Sequence, residues 1–233
     1  NQGECFETDS GYVFIKRNSK DRARQMFDGE FAALTAILKT NTVRVPAPIA
    51  IVDNPEGGAA LAMEYVEMRH LSKHSAQLGE QLASMHLHNE RVRERSHGGS
   101  VHNQQEDFVE QFGFHTTTCC GYLPLDNSWN GDWVEFFCRQ RIDHQIRGGP
   151  EKVPGPGRQP NSGPSWYTRC PGSSRTSTSP LSLVHGDLWG GNVAEHAGGP
   201  IIYDQQPFYG HAEFDLSIAK LFGGLTLPST RLL

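Results

Sequence analysis

Long apolar runs are missing from this chain: no stretch approaches the roughly 18 consecutive apolar residues that cross a bilayer, so no membrane role is expected. An excess of basic residues is missing too. Lys and Arg number 21 against 26 Asp and Glu, the formal net charge is −5 and the pI about 6.1, which leaves no general basic surface for nucleic acid. Cysteine is scarce, with five in 233 residues, no CxxC pair, and the adjacent Cys119 and Cys120 too close to bridge without strain. A reducing, cytoplasmic setting follows. Hydrophobic residues make up only 36% and the mean hydropathy is −0.51, while Gly and Pro together reach about a sixth, so part of the chain is expected not to pack. The first residues, Asn-Gln-Gly-Glu-Cys, hold no Met and no apolar signal region, and read as a chain that starts mid-domain. The length fits one large domain or two small lobes around a cleft.

What is present is concentrated in Leu183-Val184-His185-Gly186-Asp187-Leu188-Trp189-Gly190-Gly191-Asn192, followed by Ile201-Ile202-Tyr203-Asp204. Two carboxylates and an amide at this spacing suit phosphoryl transfer. One acid, Asp187, orients a hydroxyl or accepts its proton, while Asn192 and Asp204 supply oxygen ligands for Mg²⁺ on ATP. A hairpin over 192–204 brings Asn192 and Asp204 to the same end. His185 reads as a structural ring that fixes the loop. Trp189 is too large for a tight loop without a reason, and either packs into the core or forms a wall for the acceptor. Asp215, opening the helical run Phe214-Asp215-Leu216-Ser217-Ile218-Ala219, could hold the backbone of this loop.

Upstream, Tyr12-Val13-Phe14-Ile15-Lys16 is a β-rich run ending on an ammonium. From Asp21 to Thr40 the apolar residues Phe27, Phe31, Leu34 and Leu38 recur at helical spacing, with Glu30 at the border of the stripe. A helix carboxylate there can pair with Lys16, the arrangement by which a kinase lobe fixes its phosphate-binding lysine. Strands are expected over Ile49-Ala50-Ile51-Val52 and Ala60 to Val66, the second running into a linker; in kinase-like folds the backbone of such a linker meets the adenine, which makes Glu64, Tyr65 and Val66 candidates by position. Ser75 to Glu90 is amphipathic, with Leu78, Leu82, Met85 and Leu87 apolar, whereas 91–106 lacks periodicity and reads as a surface loop. His86 and His88 lie about 200° apart around that helix and cannot share a metal from one face. Asp132 to Ile142 opens a further helix. Between 148 and 180 the chain holds seven prolines among Gly, Ser, Arg and Thr, and this composition predicts a disordered or loose segment, as a shifted reading frame would give.

The string HGDLWGGNVAE, then GPIIYD, FYGHAEFDLSIA and FGG, resembles the fructosamine-3-kinase/ketosamine-3-kinase family, most closely its ketosamine-3-kinase branch, with MRHLS (68–72) and FGFHTTTCCG (112–121) adding to the likeness. The resemblance covers 3–147 and 183–224. It implies an α+β, protein-kinase-like two-lobed fold of the aminoglycoside phosphotransferase/choline kinase type, with an antiparallel N-lobe sheet plus helix and a mainly helical C-lobe. It also implies ATP-dependent phosphorylation of the 3-hydroxyl of ketosamines (ribulosamine, psicosamine, fructosamine) on glycated proteins, which releases the adduct. ATP and Mg²⁺ are the implied cofactors, glycated proteins or free ketosamines the partners, and a monomer or homodimer the assembly. Two other readings stand beside it: a catalytically inactive homologue that binds nucleotide at most, and another small-molecule kinase of the aminoglycoside or choline type. Against the family pattern, most of the Gly-rich phosphate loop, the C-lobe helices at 148–180 and the final helices are absent, and Asp204 is followed by Gln205-Gln206-Pro207 where the family reads Pro-Ala-Ser. The expected division is 1–66 (nucleotide-binding N-lobe), 67–147 (C-lobe helices), 148–182 (insertion), 183–224 (catalytic and metal segment) and 225–233 (divergent tail).

Overall fold

The computed structural model describes residues 2–97, 108–146 and 179–225; most of the proline-rich interval and the end of the tail lie outside them. The first unit is a four-stranded antiparallel sheet of order β1-β2-β4-β3, from β1 (Gln2–Thr8), β2 (Gly11–Asn18), β3 (Pro48–Asp53) and β4 (Ala59–Glu64). Alternation in β4 buries Ala59, Leu61 and Met63 on one face, as a half-buried strand requires. Strand β1 escaped the sequence reading because Gln2 to Thr8 has mixed polarity and no alternation that stands out. It is held by seven-residue pairing with β2, from Gln2 opposite Arg17 to Thr8 opposite Gly11.

Helix α1 (Ala23–Thr40) crosses between β2 and β3 and packs on this sheet. Asn41 ends it in the left-handed conformation at φ 50°, its N–H reaching the Leu38 carbonyl. The buried face is Ala23, Met26, Phe27, Ala33, Leu34 and Ile37, with Phe31 and Leu38 only partly buried. The stripe is therefore rotated from the one the large apolar residues suggest. Small Ala23 and Ala33 face inward, and Glu30 falls among the buried positions rather than at their border.

Beyond the linker come α2 (Ser75–His86) and α3 (His88–His97). Residues 91–97 are thus helical, against the expectation of a loop. Of residues 91–96 Val92 alone is buried, so the helix carries almost no apolar periodicity to read. Leu87, counted with the apolar face, is 42% exposed because it sits at the break between the two helices. A short hairpin, β5 (Cys119–Cys120) and β6 (Leu123–Pro124), precedes α4 (Trp133–Glu135), a π-helix (Phe136–Asp143) and α5 (His144–Ile146). Strand β7 (Ser182–Val184) leads into the His185–Asn192 stretch and pairs with β10 (Phe208–Gly210). Between them β8 (Val193–His196) and β9 (Gly199–Ile202) form a hairpin, and α6 (Glu213–Phe222) follows. One apolar core runs through both units, from Phe27, Ile37 and Leu61 to Met85, Phe136, Leu183, Leu188 and Phe208. Among the described residues no helix is long and apolar enough to cross a membrane.

Candidate active site

The antiparallel register of β8 and β9 sets Val193 opposite Ile202, so the residues just outside the pair, Asn192 and Tyr203, close its open end. The Tyr203 N–H donates to the Asn192 carbonyl at 3.1 Å, which brings Asp204 beside Asn192. Asp204 itself adopts φ 53°, a left-handed backbone that costs a non-glycine residue energy and is retained where surroundings enforce it. Its side chain is half-exposed and bonded to the Lys16 ammonium.

Lys16 reaches that point from β2, 188 residues away in sequence, and also donates to Glu30 Oε1 at 2.5 Å. The side chains of Lys16 and Glu30 are 16% and 14% exposed, so little water screens the pair. Burial works to lower the Lys16 pKa, but the two carboxylates outweigh it and raise it. Burial raises the Glu30 pKa, partly offset by the ammonium.

Asp187 is on the loop after β7. Asn192 Nδ2 donates to its carboxylate and to its carbonyl, each at 2.9 Å. This fixes the acid and turns the Asn192 amide oxygen the other way. Burial raises the Asp187 pKa against the lowering effect of the Asn192 bond.

The loop is held from beneath. The Asp215 carboxylate, fully buried, accepts from the N–H of His185 at 2.7 Å and of Gly186 at 2.9 Å, and from His86 Nε2 at 2.9 Å. Burial pushes the Asp215 pKa up, but the His86 bond and the neighbouring rings outweigh this and leave it lowered. The His185 ring, also fully buried, accepts the Asp187 N–H at Nδ1 (3.2 Å) and reaches the Tyr203 carbonyl with Nε2 (3.1 Å). Only a neutral imidazole protonated at Nε2 satisfies both, in keeping with a pKa lowered by burial. Gly186 has φ 84°, and a Cβ there would strike the Gln206 carbonyl, so this position needs glycine.

Trp189 is 38% exposed and leaves the core, its ring 6.5 Å from that of Phe222. Of the linker residues, Glu64 spends its carboxylate on Arg44 and the Ala47 N–H and its own N–H on the Ala47 carbonyl. Tyr65 is 40% exposed beside Tyr12, with ring centroids 5.9 Å apart, and Val66 is half-buried.

Two residues that hold the site went unread in the sequence. His86, weighed only as a metal ligand, is the buried partner of Asp215. Its place on the Leu78–Leu82–Met85 face of α2 is the signal that could have found it. Glu195 is 3% exposed and accepts the N–H groups of Ser72 (3.1 Å), Lys73 (2.9 Å) and His74 (3.3 Å). These amides belong to the turn that leads into α2, ending at its N-cap His74, so an acid far away in sequence fixes the entry to a helix that has no side-chain cap of its own. The amides hold the Glu195 pKa down at about 2, despite the opposing effect of burial.

A family model described as fructosamine kinase matches residues 1–228. The chain belongs to this family. It is 49% identical over 231 residues to the ketosamine-3-kinase of Mus musculus, covering 97% of this chain and 74% of the mouse protein. With the chloroplastic protein-ribulosamine 3-kinase of indica rice it shares 31% over 227 residues, or 96% of this chain and 61% of the rice protein. The chain thus spans between about three-fifths and three-quarters of these relatives. A provisionally assigned fructosamine-3-kinase of Thermobifida fusca superposes with a TM-score of 0.62 at 25% identity, over 95% of this chain and 69% of that one. An aminoglycoside phosphotransferase superposes at 0.52 and 12% identity, covering 91% of this chain and 66% of its own, which shows the protein-kinase-like fold.

Proposed function

We propose that this fructosamine kinase family chain transfers a phosphoryl group from ATP to the 3-hydroxyl of a ketosamine on a glycated protein, and so starts removal of the adduct. The observation that carries the proposal is the meeting of Asp187, Asn192, Asp204, Lys16 and Glu30 in one cleft from three separated parts of the sequence. Asp187 orients the attacking hydroxyl and takes its proton, positioned by the Asn192 amide. Lys16, held by Glu30, binds phosphate oxygens and exchanges its contact with Asp204 for them. Asn192 and Asp204 fit Mg²⁺: an amide oxygen turned away from Asp187 and a half-exposed carboxylate are hard oxygen donors, and Mg²⁺ takes one or two protein ligands. When bound, the metal neutralises charge on the transferred phosphate. Trp189 forms a wall for the sugar, and the backbone at Glu64 to Val66 meets the adenine. A cytoplasmic monomer or homodimer is the setting proposed.

Incubating the chain with a ribulosamine-modified peptide, ATP and Mg²⁺ tests this by mass spectrometry. Phosphate should appear on the sugar in wild type and be lost in Asp187→Ala with folding retained. No transfer from a chain that unfolds cooperatively and shifts with ATP·Mg²⁺ would leave a nucleotide-binding homologue instead. Transfer to an aminoglycoside or choline but no ketosamine would move the activity to the other small-molecule kinases.

A further inference from the structure

Three features outside the reacting groups stand together. Gly29, one residue before Glu30, is buried with backbone against backbone: a Cβ there would lie 2.5 Å from the Thr117 carbonyl oxygen and 3.1 Å from Thr118 Cα. The 116–118 segment making this contact is itself tied down. Buried Asn127 donates through Nδ2 to the Thr116 carbonyl at 2.8 Å and to the Thr118 hydroxyl at 2.9 Å, and the Leu125 N–H donates to the Thr118 carbonyl at 2.8 Å. Asn127 in turn accepts from Arg141 Nη2 at 2.7 Å, while Arg141 Nη1 donates to the Asp126 carbonyl at 2.7 Å.

Arg141 is 2% exposed, and its guanidinium donates to neutral oxygens, the Asn127 amide and the Asp126 and Gln140 carbonyls, with the charge of Asp126 nearby. Its guanidinium carbon lies over two neighbouring rings, 4.4 Å from the Phe136 centroid and 4.2 Å from that of Phe208. Burial pulls its pKa down to about 9, so it remains a cation at neutral pH. An interior cation is expensive to keep, and the transfer chemistry makes no use of it. A π-helix, the segment that carries it, also tends to mark a site with a task.

We infer that Arg141, Asn127, Thr118 and Gly29 form a brace that sets the position of α1, and through it the Glu30–Lys16 pair that binds phosphate. The four are positioning residues: none touches the phosphates, and all act through Glu30. The brace has a shared foot, because Phe208, against the guanidinium, is paired in β10 with Val184, directly before His185 of the catalytic loop. The phosphate lysine and the hydroxyl-orienting acid thereby take their positions from one buried side chain.

The inference rests on the kinase reading for its effect on turnover, so its test carries a second readout that does not. Lys16 acylation by a limiting amine-reactive reagent, followed site by site by mass spectrometry on the full chain without nucleotide, reports the Glu30–Lys16 pair directly. Ala is the better helix former, so propensity alone would make Gly29→Ala a neutral or stabilising change. The brace instead requires α1 to be displaced. Lys16 labelling should rise severalfold, because withdrawal of Glu30 with α1 leaves the amine open to the reagent. Where the chain turns over, KM for ATP should rise about tenfold, since misplacement by about 1 Å can cost more than that. If Gly29→Ala does not fold, Thr118→Val decides, because it removes only the hydroxyl that Asn127 holds; it should raise labelling and KM for ATP, and Thr118→Ser should restore both. A folded Gly29→Ala or Thr118→Val with unchanged Lys16 labelling overturns the brace. Raised labelling in a chain whose wild type transfers no phosphate keeps the brace and removes the kinase reading.

Discussion

Replacing Asp215 by Asn tests how firmly the catalytic loop depends on what lies under it. The carboxylate receives three donors: Oδ2 takes the His185 N–H and His86 Nε2, and Oδ1 takes the Gly186 N–H. An asparagine has one oxygen for these three. With that oxygen at the Oδ2 place, its NH₂ faces the Gly186 N–H. With it at the Oδ1 place, the NH₂ faces the His185 N–H, and only the His86 ring can adapt by changing tautomer. Either way one loop amide is left donor against donor in a fully buried position. A buried unsatisfied group costs about 1–3 kcal/mol, and exchanging a charged acceptor for a neutral one adds roughly 1 more. The sum is about 2–4 kcal/mol, a large part of a typical total of about 5–15. At about 2–4 °C per kcal/mol for a chain of this size, Tm should fall by roughly 4–16 °C. Calorimetry and urea unfolding measure the loss. Turnover at a temperature where the variant is folded should fall through kcat, with KM for ATP little changed, because Lys16 and Glu30 are held elsewhere. A variant within about 0.5 kcal/mol of wild type would refute the reasoning, since it would mean that the loop amides find other partners.

Other outcomes follow from the same geometry. Lys16→Met should lower turnover on the order of 10²–10³-fold with the fold intact, judged by steady-state rates, because it removes one preorganised charge at the transferred phosphate. Glu195→Gln should destabilise above about pH 5. A carboxylate whose pKa falls from 4.5 to about 2 contributes stability above 4.5 that is lost as pH drops through 2, so the gap in Tm between variant and wild type should close on acidification over that window. Because burial raises the Asp187 pKa, the acid limb of the kcat profile should lie above the range of an ordinary carboxylate, with Asn192→Ala lifting it further by removing the bond that opposes the rise. Trp189→Ala should raise KM for the ketosamine and leave KM for ATP unchanged.

The catalytic loop was legible because its groups are close in sequence. Asp187 to Asn192 spans five residues, and a hairpin turn carries Asp204 to them. The Lys16–Glu30 pair was legible for a different reason: a strand that ends in Lys, followed by a helix with an inward carboxylate, allows few arrangements. What the sequence hid is whatever depends on distance or on small residues. Glu195 fixes the turn at residues 72–74, more than a hundred residues away, and no local pattern announces an acid that receives three foreign amides. Gly29 is an ordinary helix interruption until the Thr117 carbonyl is seen against it. The face of α1 was misjudged by following the large residues Phe31 and Leu38, whereas Ala23 and Ala33 allow closer approach and are fully buried. Strand β1 and the helical turn at 91–97 carry too little hydrophobic contrast to be read, since pairing in one case and continuation of α3 in the other supply the order.

Main-chain bonds tie the β8–β9 hairpin to two flanking segments. On the β8 side, Arg69 and Glu195 exchange main-chain hydrogen bonds of 2.9 Å in each direction. On the β9 side, the Ile202 N–H donates to the Arg44 carbonyl at 3.0 Å. The hairpin is therefore flanked by a segment that leaves α1 and by one that follows β4. Arg44 is further fixed to Glu64 at the end of β4, and the Glu195 carboxylate fixes residues 72–74. Closure of the cleft about a hinge at residues 65–74 would have to break these short ladders, which lie between the hinge and the site. The pivot that costs least is at the far end of the sheet, where β1 and the β3–β4 turn make no such contacts among the described residues. Motion there leaves the Arg69–Glu195 and Arg44–Ile202 main-chain bonds in place.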